Sequence, residues 1–173
     1  MTKTLFTIIL TVALSAFILY LFIHHYRKLR KYRRVCDSAL VDVQRLQAQL
    51  IERTDPIIVI TQKVLRNHDK LFKEWREIKE QSESKRAQSE RIHHVLLLRN
   101  HLNTLKHESQ THAELKNRED LAELWVKVDI TNRNIDESAS FYNDAVHDYR
   151  ELTSQFPVSM LADILQYPKY QRI

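Results

Sequence analysis

Between residues 121 and 156, apolar and small side chains recur at alternating steps of three and four: Leu121, Leu124, Val128, Thr131, Ile135, Ser138, Tyr142, Ala145, Tyr149, Leu152 and Phe156. Five heptads without a slip predict one long helix, about 55 Å from end to end, that stops at Pro157. One set of seam positions is large, while the alternating set narrows to Thr131, Ser138 and Ala145. Small residues beside large ones let a neighbouring helix approach closely, so this element needs partner helices.

The rest of the chain supplies helical patterns of its own. Residues 5–23 form an uncharged run of nineteen residues, about 28 Å as a helix, against a hydrocarbon core of about 30 Å. A cleaved signal peptide competes with an uncleaved anchor. The length of the run, the absence of a small-x-small site and the direct lead through His24, His25 and Tyr26 into cations support the anchor. A seam then continues through Leu29, Tyr32, Cys36, Ala39, Val43, Leu46 and Leu50, so the first helix is expected to run to about Arg53. Thr54, Asp55 and Pro56 read as a stop and restart, with Asp55 as N-cap and Pro56 in the first turn. A second helix from Ile57 would carry Val64, His68, Leu71, Trp75 and Ile78 on one face. The charged stretch 79–91 is either a solvated helix end or a hairpin connection. A third, shorter helix would turn Ile92, Val95, Leu98, Leu102 and Leu105 inward, and a polar connection would span His107 to Asp120.

The expected fold is therefore all-α, a single N-terminal transmembrane helix continuing into an antiparallel up-down-up-down four-helix bundle. Its parts would be an anchor at 1–26, a bundle at 27–156 and a tail at 157–173. In the tail, Val158, Leu161, Ile164 and Leu165 predict a short amphipathic helix. That helix either caps the membrane-proximal end of the bundle or touches the interface with Tyr167 and Tyr170.

Composition narrows the class further. Glycine is absent where average usage predicts roughly a dozen, which disfavours hairpins, bulges and phosphate-cradling loops. The formal net charge is +5, but Arg27, Lys28, Arg30, Lys31, Arg33 and Arg34 lie in one short run. Without them and Lys3, 20 basic residues face 22 acidic ones, so no basic surface for nucleic acid extends over the chain. The six cations form a membrane-interface cluster that sets topology, with the N-terminus outside and the bundle in the cytoplasm. Recognition of a lipid headgroup is the alternative role. Thr7, Thr11 and Ser15 share one face of the anchor; they either seat another transmembrane helix or bond back to their own carbonyls.

Candidate chemistry is sparse. The lone Cys36 falls on the seam and reads as a packed thiol in a reducing compartment. Nine histidines occur, and His94 and His101 would share a face with Glu108, but no His-x-x-x-His or Glu-x-x-His pair accompanies them. No metal site, cofactor or catalytic residue is assigned. Asp144 and Asp148 form a like-charged i,i+4 pair, and Ser140, Tyr142 and His147 lack nucleophilic-site spacing. Trp75, Trp125, Phe141, Tyr142 and Tyr149 are read as core or rim, or else as an exposed aromatic patch for a partner.

The segment Phe141-Tyr142-Asn143-Asp144-Ala145-Val146-His147-Asp148-Tyr149, followed by Ser154-Gln155-Phe156-Pro157, resembles the LemA family. Tyr142, Asn143, Ala145, Val146, Tyr149, Phe156 and Pro157 carry the signature. Asp37-Ser38-Ala39, Asp42-Val43-Gln44 and Leu115-Lys116-Asn117 are similar in a weaker way. Asn132, Asn134, Ala139 and Ser140 stand where the family usually has a glutamate and arginines, and Asp55-Pro56-Ile57-Ile58 stands for its longer start to the second helix. The chain thus looks like a divergent member. The resemblance implies a bacterial inner-membrane protein with an N-terminal transmembrane helix, a four-helix bundle and no assigned enzymatic activity. The expected function is a membrane-tethered scaffold or adaptor, held in the lipid bilayer and binding protein partners at the inner membrane, without catalysis of its own. The alternative is a regulatory subunit of a membrane protease, transporter or other membrane enzyme. Oligomeric state is left open.

Overall fold

The computed structural model describes residues 2–83 and 88–173, with side chains for residues 4–81 and 97–173. Among the described residues six helices follow one another: α1 (Thr2–Val64), α2 (Asp69–Glu83), α3 (Gln88–Thr111), α4 (Ala113–Lys116), α5 (Glu119–Ser154) and α6 (Val158–Ile164). No strand occurs among the described residues.

The expected stop at residues 54–56 does not exist. α1 runs through Pro56, and Asp55 is not a cap but an ion-pair partner, 2.5 Å from Lys79 Nζ on α2. Leu50, Thr54, Ile57, Thr61 and Leu65 are all buried, an unbroken three-and-four pattern in which two of the seam residues are threonines. Each hydroxyl is satisfied within the helix, Thr54 Oγ1 donating to Leu50 O at 2.7 Å and Thr61 Oγ1 to Ile57 O at 2.8 Å. Pro56 and Glu52 lie on the exposed face. The Glu52 carbonyl, which the proline ring deprives of its usual donor, can therefore be solvated by water.

The helix ends instead at residues 65–68. From Leu65 the next in-phase positions would be His68 and Asp69, both polar, whereas the next apolar residues are Leu71 and Phe72. That phase slip forces a turn, closed by His68 N donating to Leu65 O at 3.1 Å. His68 accordingly precedes α2 rather than lying on it, and Asp69 opens α2 where a negative charge suits the helix dipole.

Two other expectations are corrected, and the charged stretch 79–91 agrees with its reading as a solvated helix end. The third helix is longer than the second, 24 residues against 15. Much of the charged stretch 79–91 is helical, since α2 continues to Glu83 and α3 begins at Gln88. The connection after His107 is also largely helical: α3 continues to Thr111, and α4 drops Leu115 into the core at 1% exposure. Leu98, Leu102 and Leu105 are buried as expected, whereas the side chains of Ile92, His94 and Val95 lie outside the described residues.

Backbone contacts divide the chain into two compact units, one formed by 1–38 with 143–172 and the other by 39–142 with Ile173. In the larger unit a single apolar cluster joins Leu50 and Ile57 of α1, Phe72 and Trp75 of α2, Leu102 and Leu105 of α3, and Trp125 and Val128 of α5. There α2 and α3 run in opposite directions, and so do α3 and α5. His68 approaches Glu108 while Trp75 stacks on His101, and Lys106 pairs with Asp129 while Arg99 pairs with Asp136. These ion pairs are partly solvated, so each contributes only about 0.2–1 kcal/mol and they act mainly on register.

In the smaller unit the large apolar side chains from Leu5 to Ile23 stand outward, apart from the half-buried Leu21. Thr7, Thr11 and Ser15 within that run bond back to carbonyls of their own helix; Thr11 Oγ1 reaches Ile8 O at 2.9 Å and Ser15 Oγ reaches Val12 O at 2.9 Å. The later part of α1 meets the end of α5. Cys36 Sγ donates to Ala145 O at 3.3 Å, and Tyr149 lies within electrostatic reach of both Cys36 and Arg33. As α5 advances its neighbours on α1 recede, so the two segments are antiparallel.

Candidate functional site

The signature segment is a packing code. Tyr142, Ala145, Val146 and Tyr149 are all buried, at helical steps of three, four and seven, while Asp144, His147 and Asp148 between them are exposed. Asn143 is half-buried at the edge of that face. The small Ala145 brings its own carbonyl to Cys36, which is possible because a methyl group is all that stands between the two backbones. Burial pushes the Cys36 thiol up to about 11, with the charge of Asp37 adding to the shift, so it is an inert core residue. Phe156 departs from the expected seam. It lies beyond the last residue of α5, is 83% exposed, and stands beside a half-buried Pro157.

The tail docks onto this face. Tyr149 Oη donates to Pro168 O at 3.0 Å, and the rings of Tyr149 and Tyr170 meet edge to face at 5.1 Å. Arg150 donates from Nη2 to Tyr170 O at 2.7 Å, and the Tyr170 hydroxyl donates to Asp37. Burial raises the Tyr149 phenol to about 12 and that of Tyr170 further still, so both stay protonated donors. α6 turns Val158, Leu161 and Ala162 inward. Ile164 and Leu165, expected on the same apolar face, are exposed, because α6 ends at Ile164 and Gln166 then turns the chain with φ 49°. A left-handed residue costs about 1–2 kcal/mol outside glycine, and this chain has no glycine to place there. A cleft of about 380 Å³ remains between α5 and the tail, bordered by Arg150, Asp163 and Lys169. Its guanidinium is already committed to Tyr170 O, which makes the cleft a packing seam.

The six cations separate into two groups. Arg27, Arg30, Lys31 and Arg34 recur at steps of three, four and seven, and point away from the buried Leu29 and Cys36; Lys28 flanks them. Among the described residues these five pair with no carboxylate. Arg33 turns the other way, 3.6 Å from Asp37 and stacked over Tyr167 at 5.3 Å.

The expected aromatic core holds for Trp75, Trp125, Tyr142 and Tyr149 but not for Phe141, which is 59% exposed because it precedes the buried Tyr142 by one helical step. His101 and Glu108 do not meet. His101 is buried against Trp75 with Nδ1 3.8 Å from Glu74, and Glu108 faces His68. Burial lowers the His101 pKa against the opposing pull of Glu74, and Nε2 has no hydrogen-bond partner among the described residues. Among the described residues, no group of three or more histidine, cysteine or acidic side chains is placed to hold a metal.

A family model described as LemA family matches residues 42–172. It covers the larger unit, the signature and the tail but neither the apolar run nor the cationic stripe. No curated protein and no solved structure matches the chain.

Proposed function

Since the chain belongs to the LemA family, we propose that it is a membrane-tethered helical scaffold that binds protein partners at a bacterial inner membrane and performs no catalysis of its own. The observation that carries the tether is the outward apolar run 5–23, on a helix that continues without a break into residues buried in a core. An antiparallel up-down-up-down bundle is the fold this reading gives the larger unit, supported by the opposed directions of α2 and α3 and of α3 and α5 and by the common core. The cations directly after the apolar run favour an outside N-terminus and a cytoplasmic bundle. For partner binding the support is Phe141, a large aromatic that stands in solvent beside the signature face.

The experiment is site-specific photocrosslinking from position 141 in native membranes, after carbonate washing to separate integral from peripheral chains. Retention in the washed membrane with crosslinks to cytoplasmic proteins supports the scaffold. Crosslinking to one stoichiometric membrane enzyme would reassign the chain as that enzyme's regulatory subunit. Release by carbonate would remove the tether altogether.

A further inference from the structure

α6 is apolar on two sides. Its inner side, with Val158 and Leu161, is buried. Its outer side presents Met160 and Ile164 one turn apart, 60% and 65% exposed, and Phe156 in the turn before the helix and Leu165 just after it are exposed too. A seven-residue helix buried on one side has no internal need for four large apolar side chains in solvent.

The position of this stripe along the smaller unit identifies what covers it. Ala145 lies level with Cys36, and the two segments are antiparallel. From Ala145 to Ser154 α5 descends nine residues, about 13–14 Å, while from Cys36 to Ile23 α1 descends thirteen, about 20 Å. The end of α5 therefore stops roughly 6 Å short of the last apolar residue of the anchor run. A bilayer's polar layer is about 5–8 Å thick on each side. Phe156 and the start of α6 follow directly, level with the turns of α1 that carry Arg27, Arg30 and Lys31, which pair with no carboxylate among the described residues.

We propose that the Phe156–Met160–Ile164 stripe is a second membrane contact, inserted among the headgroups and upper acyl chains of an anionic phospholipid leaflet, with the unpaired arginines and Lys31 binding the phosphates around it. The proposal rests on the reading of 5–23 as a membrane span. An apolar surface flanked by cations is the pattern that binds an anionic leaflet at the interface. Buried Tyr149 and Tyr170 hold the tail in place, so the stripe is presented in a fixed orientation beside the anchor.

The test uses the full chain in nanodiscs of mixed phosphatidylglycerol and phosphatidylethanolamine, with Cys36→Ala removing the native thiol. Single cysteines at Met160→Cys, Ile164→Cys, Ile18→Cys and the exposed Asp144→Cys carry an environment-sensitive fluorophore, read against lipids with quenchers at shallow and deep acyl positions. Quenching of 160 and 164 at least twofold above 144 by the shallow probe, with 18 quenched by the deep one, supports the proposal. If 18 is quenched while 160 and 164 match 144, the stripe is not a membrane contact although the anchor stands. If 18 is not quenched either, the anchor reading fails and takes the stripe with it. A triple Phe156→Ser, Met160→Ser, Ile164→Ser chain replaces only solvent-facing residues, so it folds. It should lose the shallow contact of a fluorophore at Leu165→Cys while retaining the deep contact at position 18; unchanged quenching at 165 overturns the proposal.

Discussion

The hydroxyl of Tyr170 donates to the carboxylate of Asp37, a residue 133 positions earlier in the chain. Tyr170→Phe deletes that donor but keeps the ring against Tyr149. Asp37 is about half exposed, so water replaces the lost bond and the cost is about 1 kcal/mol. Tyr170→Ala also removes the ring and should cost about 3 kcal/mol. Trypsin cleavage after Lys169 reads both, slow in the parent, faster in Phe and fastest in Ala.

Ala145 leaves little room for a larger side chain. Ala145→Leu forces a branched group into the approach between its backbone and Cys36, destabilising the protein by about 1–3 kcal/mol in chemical denaturation.

The Cys36 thiol should be silent. With a pKa near 11, only about one part in a thousand is thiolate at pH 8, and the group is buried as well. Maleimide labelling is expected to be negligible in the native protein at pH 8 and rapid in guanidinium. Native labelling at the denatured rate would show that α1 and α5 separate around it.

His101 gives the larger unit a pH dependence. Its folded pKa lies below the unfolded value of about 6.5, so the unfolded state takes up the proton first. Stability is complete above that value and falls as pH drops from about 6.5 towards the folded pKa. His101→Phe keeps a ring against Trp75 and removes the proton, so the difference in melting temperature between pH 7.5 and 5.5 should shrink.

Pro56 is predicted to be a net cost to α1. Pro56→Ala restores a donor for the Glu52 carbonyl, worth up to about 3 kcal/mol in a helix interior, and gives back about 0.4–1 kcal/mol of unfolded-chain entropy. A stabilisation of about 1–2 kcal/mol in thermal melts is the expected net result. A lower melting temperature would mean that packing around Ile57 depends on Pro56.

Hydrophobic spacing was a sound guide wherever seam residues were recognisably apolar. The α5 seam holds from Leu121 to Leu152, and Leu29, Cys36, Ala39, Val43 and Leu50 are buried along α1 as their spacing requires. It failed at residues 54–56, where threonine did not count as apolar and proline counted as a stop, although neighbouring Leu50 and Ile57 hold the helix together across both. The true end, at 65–68, carries no proline or glycine and shows only as a change of phase. In the candidate site, the burial of Tyr142, Ala145, Val146 and Tyr149 was readable from their steps. The turn of Arg33 away from its neighbours towards Tyr167 was not, because that contact joins residues far apart in the chain.

Buried Thr54 and Thr61 each close their hydroxyl onto their own helix, so no other residue depends on either for a hydrogen bond. Chemically they present a methyl group to their neighbours, and valine is interchangeable with them at little cost. Thr131 is different: its Oγ1 accepts from Arg53 Nη1 at 2.5 Å, and valine there would leave Nη1 only the longer bond to Lys127 O and water. Sequence drift among related chains should accordingly be free at the first two positions and correlated at the third, with residues 53 and 131 changing together.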